Sequence, residues 1–152
     1  MEFSSANGTA GFRLEVASGG LVQGALWGAL AVDVLERLEA SLQALGAGHP
    51  ERRRLLLRLD GMTGCSPEAQ ARWSALHRVL AREVWRTAYL DPRPWGRGLA
   101  LAVMHRAGDG HALAVGREPQ AHAWLAAQGT RLEAAQALAA AGSGRALRGR
   151  QP

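Results

Sequence analysis

Cys65 is the one cysteine in the chain, and it immediately precedes Ser66-Pro67-Glu68, a combination that starts helices. A thiol at a helix amino terminus gains thiolate character from the helix dipole, which is the setting of nucleophilic cysteine chemistry. A phosphatase-type loop needs Cys, five residues and then Arg, so that loop amides and a guanidinium enclose one phosphate. Here the sixth residue after Cys65 is Ala71, and Arg72 falls one place late. His77 lies a helix length further on and is not placed to serve the sulfur. The pattern favours a small, partly buried thiol over a nucleophile. His105, Asp109, His111 and His122 are of types that zinc accepts, but their spacing matches no strong ligand pattern, and loop imidazoles are commonly solvated. Ser18-Gly19-Gly20 and Gly108-Asp109-Gly110 are too short to cradle a phosphate and read as turns. The expectation is of no catalytic residue, no metal and no cofactor.

These groups hang on a strand–turn–helix unit, RLLLRLDGMTGCSPEAQARWSALHRVLAR, from Arg54 to Arg82. Leu55-Leu56-Leu57-Arg58-Leu59 reads as a buried central strand that runs out at Asp60. A Gly-containing turn follows, then a helix with Ser66 as N-cap, Pro67 at its first position and Glu68 in its first turn. Trp73, Leu76 and Leu80 form its inner stripe. In open α/β sheets, the carboxyl end of such a strand and the first turn of the next helix are where ligands and partners bind. The polar groups expected to face outward there are Asp60, Thr63, Ser66, Glu68, Gln70, Arg72, Ser74, His77 and Arg78. A second recognition element is the Pro/Gly-rich loop 91–98, where Trp95 lies between Arg93 and Arg97. Such a Trp either anchors a partner or stacks a base, or it folds back over the sheet edge.

The remaining elements follow from periodicity. Phe12, Leu14 and Val16 alternate with Arg13 and Glu15, and Leu21–Leu26 pairs back on them after a Gly turn. Leu35, Leu38, Leu42 and Leu45 share one face of a helix over 33–45, stopped by Gly46, Gly48 and Pro50. Trp85–Leu90 is a strand. Over 99–115 the pattern fits helix, turn and short strand, with a hairpin as the competing reading. Helices over 118–128 and 130–141 close the domain. The order ββαβαβαβα plus a terminal helix implies an α/β fold: a mixed sheet of four to five strands with helices packed on it. The expected organisation is a flexible segment over 1–11, a domain over 12–141 and a disordered basic tail over 142–152.

At 152 residues the chain is one domain's worth, long enough to need no disulfide or metal staple. Its 18 basic residues are all Arg, and with 13 acidic ones the net charge is +5. The Arg bias and the lack of Ile suggest a GC-rich bacterial genome. A lone cysteine fits a reducing, cytoplasmic setting. The opening MEFSSANGTAGF has neither a basic region nor an apolar core, so no secretory signal is expected, and no apolar run is long enough to span a membrane.

The order and spacing of these elements resemble the STAS domain, the sulfate-transporter and anti-sigma-factor-antagonist fold, in its small stand-alone bacterial form. The resemblance runs from about Phe12 to Gln128. It is carried by the apolar strand, Asp60-Gly61-Met62-Thr63 and helix of 55–82, by Arg86-Thr87-Ala88-Tyr89-Leu90, and by Gln120-Ala121-His122-Ala123-Trp124-Leu125. It implies a non-enzymatic, regulatory signalling module with a protein partner, with room for a homodimer. The family's Asp-Ser-Ser-Gly run, phosphorylated by a partner kinase, falls on Ser66, Pro67 and Glu68, so the phosphorylatable hydroxyls are replaced. The alternative reading is nucleic-acid or anionic-ligand binding through Arg52, Arg53, Arg54, Arg93, Arg97 and the tail. A small Cys-dependent enzyme stands third.

Overall fold

The structure is a computed structural model and describes residues 1–127. The expected helix over 130–141 and tail over 142–152 lie outside the described residues. Alternating side chains build a six-stranded sheet whose spatial order is the chain order. Strands β1 (Glu2–Ser4), β2 (Ala10–Val16) and β3 (Val22–Leu30) pair antiparallel. Strands β4 (Arg54–Cys65), β5 (Arg86–Leu90) and β6 (Leu113–Val115) continue from β3 in parallel. Helices α1 (Val32–Gly46), α2 (Pro67–Arg82) and α3 (Pro94–Arg106) are the crossovers between parallel neighbours, and α4 (Glu118–Ala126) follows β6.

The sheet has more strands than the four to five expected. The difference is at the amino terminus: Glu2–Ser4, expected to be flexible, pairs with Gly11–Arg13. Phe3 stacks on Phe12, and the terminal ammonium donates to the Leu14 carbonyl at 2.9 Å. Alternation could not reveal a three-residue strand.

Because consecutive parallel crossovers share one hand, α1, α2 and α3 cover the same face of the sheet. Leu55, Leu57, Leu59 and Tyr89 point into that layer, with Leu35, Leu38, Leu42, Trp73, Leu76 and Leu80 opposing them. The alternate residues, Leu56, Ala88 and Leu90, face the other way and meet Ala121 and Leu125 of α4. Both faces of β4 and β5 are thus buried, which is why the 55–59 segment reads as an unbroken apolar run.

Strand β4 does not stop at Asp60. It continues to Cys65, with Gly61, Met62, Gly64 and Cys65 paired to Trp27, Gly28, Ala29 and Leu30 of β3 through two register shifts. Gly61 is therefore no turn glycine. A Cβ there would lie 2.9 Å from the Leu26 carbonyl oxygen, so its small size lets the two backbones meet. Region 99–115 is helix followed by a short strand, and the helix begins earlier than expected. Pro94 and Trp95 form its first turn, so the supposed 91–98 loop is half helix.

Candidate functional site

The carboxyl ends of β4 and β5 and the first turns of α2 and α3 meet at one edge of the sheet. Ser66 accepts a hydrogen bond from the Ala69 N–H at 3.1 Å and is spent as the N-cap of α2. The Gln70 side chain donates to the Cys65 carbonyl at 3.2 Å, fastening the strand end to the helix. Asp60, Thr63 and Glu68 are exposed. Glu68 is the acidic residue of the first turn, where the helix dipole favours a negative charge.

The other half of the edge is built around Asp91, which is 0% exposed. Burial pushes the Asp91 carboxyl up, but hydrogen bonds from the Arg93 guanidinium and backbone N–H outweigh it and hold the pKa below the ordinary value. The Arg93 guanidinium also donates to the Met62 and Leu59 carbonyls, each at 2.9 Å. It thereby ties the end of β4 to the start of α3, and it lies 5.2 Å from the Trp95 ring centroid. Arg97 donates to the Asp91 and Pro92 carbonyls at 3.1 and 2.8 Å. Gly96 closes the knot: a Cβ there would fall 1.6 Å from the Asp91 carboxylate. Trp95 remains 47% exposed on top of this support.

Four expected site residues stand elsewhere. Ser74 is buried and donates to the Gln70 carbonyl. His77 is 1% exposed, with Nδ1 2.6 Å from the Tyr89 hydroxyl and Nε2 2.6 Å from Asp109 Oδ2. Its position was legible: 77 is four residues after Trp73 and three before Leu80, on the apolar stripe. Arg72 pairs with Glu39 of α1 and is half-buried. Arg78 donates to the Arg106 carbonyl at 2.9 Å, joining α2 to the end of α3.

The imidazoles are not gathered. Asp109 turns inward to His77, while His122 sits on α4 beside Glu118 at 3.2 Å. Among the described residues no three His, Cys, Asp or Glu side chains are grouped to hold a metal ion. Desolvation pushes the Cys65 thiol up to about 11, opposite to what a nucleophile at neutral pH requires. Asp91 was the feature that sequence reading missed. Its signal was Asp-Pro-Arg after an apolar strand, where an acid at the strand's end meets an Arg two residues on.

The fold is that of the STAS domain. It is similar to the solved structure of the anti-sigma factor antagonist SpoIIAA in its unphosphorylated form, with a TM-score of 0.56 and 17% sequence identity, covering 77% of this chain and 99% of that one. No family model matches the sequence. No curated protein matches it either. Among the described residues no helix is long and apolar enough to cross a membrane.

Proposed function

We propose that this protein is a non-enzymatic regulatory module that binds a protein partner through the edge formed by the end of β4 and the first turns of α2 and α3. One observation carries the reading. Asp60, Thr63, Glu68 and Trp95 are exposed on a rigid, hydrogen-bonded support, while the neighbouring groups capable of chemistry are committed to structure. Ser66 is the cap, the Cys65 thiol is held protonated, and His77 is locked inside. An exposed Trp on a rigid support is the kind of aromatic anchor that protein-binding hot spots are built around. The likeness to an anti-sigma factor antagonist supports the same class of role. Phosphorylation at the start of α2 is not part of the proposal, since Pro67 and Glu68 offer no hydroxyl there. A fixed carboxylate also lacks the second charge and third acceptor of a phosphate.

Nucleic-acid binding through Arg93 and Arg97 is disfavoured, because the Asp91 carboxylate pairs with Arg93 and lies beside Arg97, so the two cations do not present an uncompensated charge. The test is affinity capture with the wild-type chain, Glu68→Arg, Trp95→Ala and Ser66→Ala. A stoichiometric partner lost with the first two variants and kept with the third supports the proposal. Retention of every specific partner by both Glu68→Arg and Trp95→Ala refutes it.

A further inference from the structure

Arg54 and Arg86 stand directly opposite one another on β4 and β5, both on the face covered by α4. Four arginines have carboxylate partners, Arg13 with Glu2, Arg58 with Glu118, Arg72 with Glu39 and Arg93 with Asp91, while Arg53, Arg78 and Arg97 donate to main-chain carbonyls. Arg54 and Arg86 have no carboxylate partner among the described residues. Arg54 donates to the Gly19 carbonyl at 2.7 Å and the Leu125 carbonyl at 3.4 Å. Arg86 donates to the Ala127 carbonyl at 2.9 Å, and its guanidinium lies 4.6 Å from the Trp124 ring centroid. Glu51, in the turn that packs on Gly20, pairs with His49 at 3.1 Å.

Among the described residues the charge of this pair is therefore unbalanced. Guanidiniums stay protonated, so two adjacent cations persist at the amino ends of the parallel strands. Arg86 is 3% exposed, and its Nε–H is buried without an acceptor among the described residues. Desolvation, then the nearby Arg54, both disfavour its charge. The carbonyls at the end of α4 offer only the partial negative charge of a helix terminus. A buried, unaccepted donor on a cation is costly unless something meets it. Of the five N–H donors on each side chain, these contacts occupy two on Arg54 and one on Arg86.

We propose that Arg54 and Arg86 form a receptor for a phosphate dianion, held between the two guanidiniums beneath the carboxyl end of α4. A phosphate monoester carries between one and two negative charges at neutral pH and offers three strong acceptor oxygens, which match two cations and an orphan Nε–H. Arg54, on the more exposed side, forms the mouth. Arg86, stacked on Trp124, forms the floor. The site lies at the amino ends of β4 and β5, the opposite end of these strands from the partner-binding edge, so either proposal can stand without the other.

The test titrates the full chain with inorganic phosphate and, separately, with AMP, against sodium chloride at matched ionic strength. Thermal unfolding and tryptophan fluorescence are the readouts. Expected are saturable stabilisation by phosphate that chloride does not reproduce, and a fluorescence change that Trp124→Phe removes. Arg54→Gln is the main variant because its position is only half-buried. It should keep the wild-type circular dichroism while weakening phosphate binding about tenfold or more. Tighter binding of AMP assigns the phosphate to a nucleotide, and equal binding assigns it to the free ion; both support the receptor. Glu133, the one acidic residue after Glu118, supplies the control. Glu133→Gln should leave phosphate binding unchanged. Equal stabilisation by chloride, or undiminished binding by Arg54→Gln, identifies an adventitious ion only and overturns the proposal. So does a wild-type chain that ignores phosphate while Glu133→Gln loses stability, since the counter-charge is then the chain's own.

Discussion

Trp73, Tyr89, His77 and Asp109 form one buried chain of hydrogen bonds, and only one arrangement of protons satisfies it. The Trp73 indole N–H donates to the Tyr89 oxygen at 3.3 Å. Burial pushes the Tyr89 hydroxyl far above its ordinary pKa, so it keeps its proton and donates to His77 Nδ1. The His77 Nε2–H is then left to donate to Asp109. Replacing Tyr89 with Phe removes the middle of this chain and strands the Trp73 N–H and the His77 nitrogen. The expected loss is about 1–3 kcal/mol, read as a lower urea midpoint at unchanged slope. Asp91 makes the corresponding case for pH. Its folded-state pKa is depressed below the ordinary carboxylate value, so it contributes stability above that value. The contribution fades as pH falls from the unfolded pKa through the lower folded one. In Asp91→Asn that part of the acid dependence should vanish, with stability near neutral pH already reduced. Acid titrations of the two proteins that run parallel below pH 4 would contradict this role.

At the scale of elements, Ser66 is the sharpest local signal. It caps α2, and Ser66→Ala should cost about 1 kcal/mol by denaturant unfolding without changing the fold. The helix over 33–45, the 55–59 strand and the start of α2 were legible because periodicity, caps and breakers agree there. The extension of β4 to Cys65 was not. Asp60-Gly61 carries the chemistry of a turn, and only the close approach of β3 reveals that Gly61 is small for packing reasons. The candidate edge was half legible for the same reason. The polar residues of the first turn of α2 can be read from the cap, but a helix wheel assigned by polarity alone put His77 and Ser74 outside. The spacing of 77 from Trp73 and Leu80 marks His77 as inward, but its polarity outweighs that spacing in such a wheel, and the partners that satisfy it inside the fold come from distant segments. Trp95 looked like a loop residue because Pro92, Pro94, Gly96 and Gly98 crowd it. Pro94 in fact opens α3 at its first turn, where its missing N–H costs nothing, and Gly96 is required by Asp91.

The described residues form two unequal layers on one sheet. The layer of α1, α2 and α3 buries the large side chains, including Phe12, Trp73, Trp85 and Tyr89. The layer of α4 rests on a small set, Leu56, Ala88, Leu90, Ala121 and Leu125, flanked by half-buried Trp124. Stability follows buried apolar area, so α4 should open by itself at a lower free energy than the sheet. Native-state hydrogen exchange should show the amides of α4 exchanging well before those of β4 and β5. Leu125→Ala should then widen that gap, because truncating a buried Leu costs about 2–5 kcal/mol and this one belongs to the thinner layer. The ion pair between Arg58 and Glu118 and the stacking of Arg86 on Trp124 oppose the opening. Raising salt should therefore speed exchange in α4 more than in the sheet, as screening weakens the exposed Arg58 pair. If α4 and the central strands exchange together in wild-type and Leu125→Ala proteins alike, the two layers form a single cooperative unit and the unequal-layer account fails.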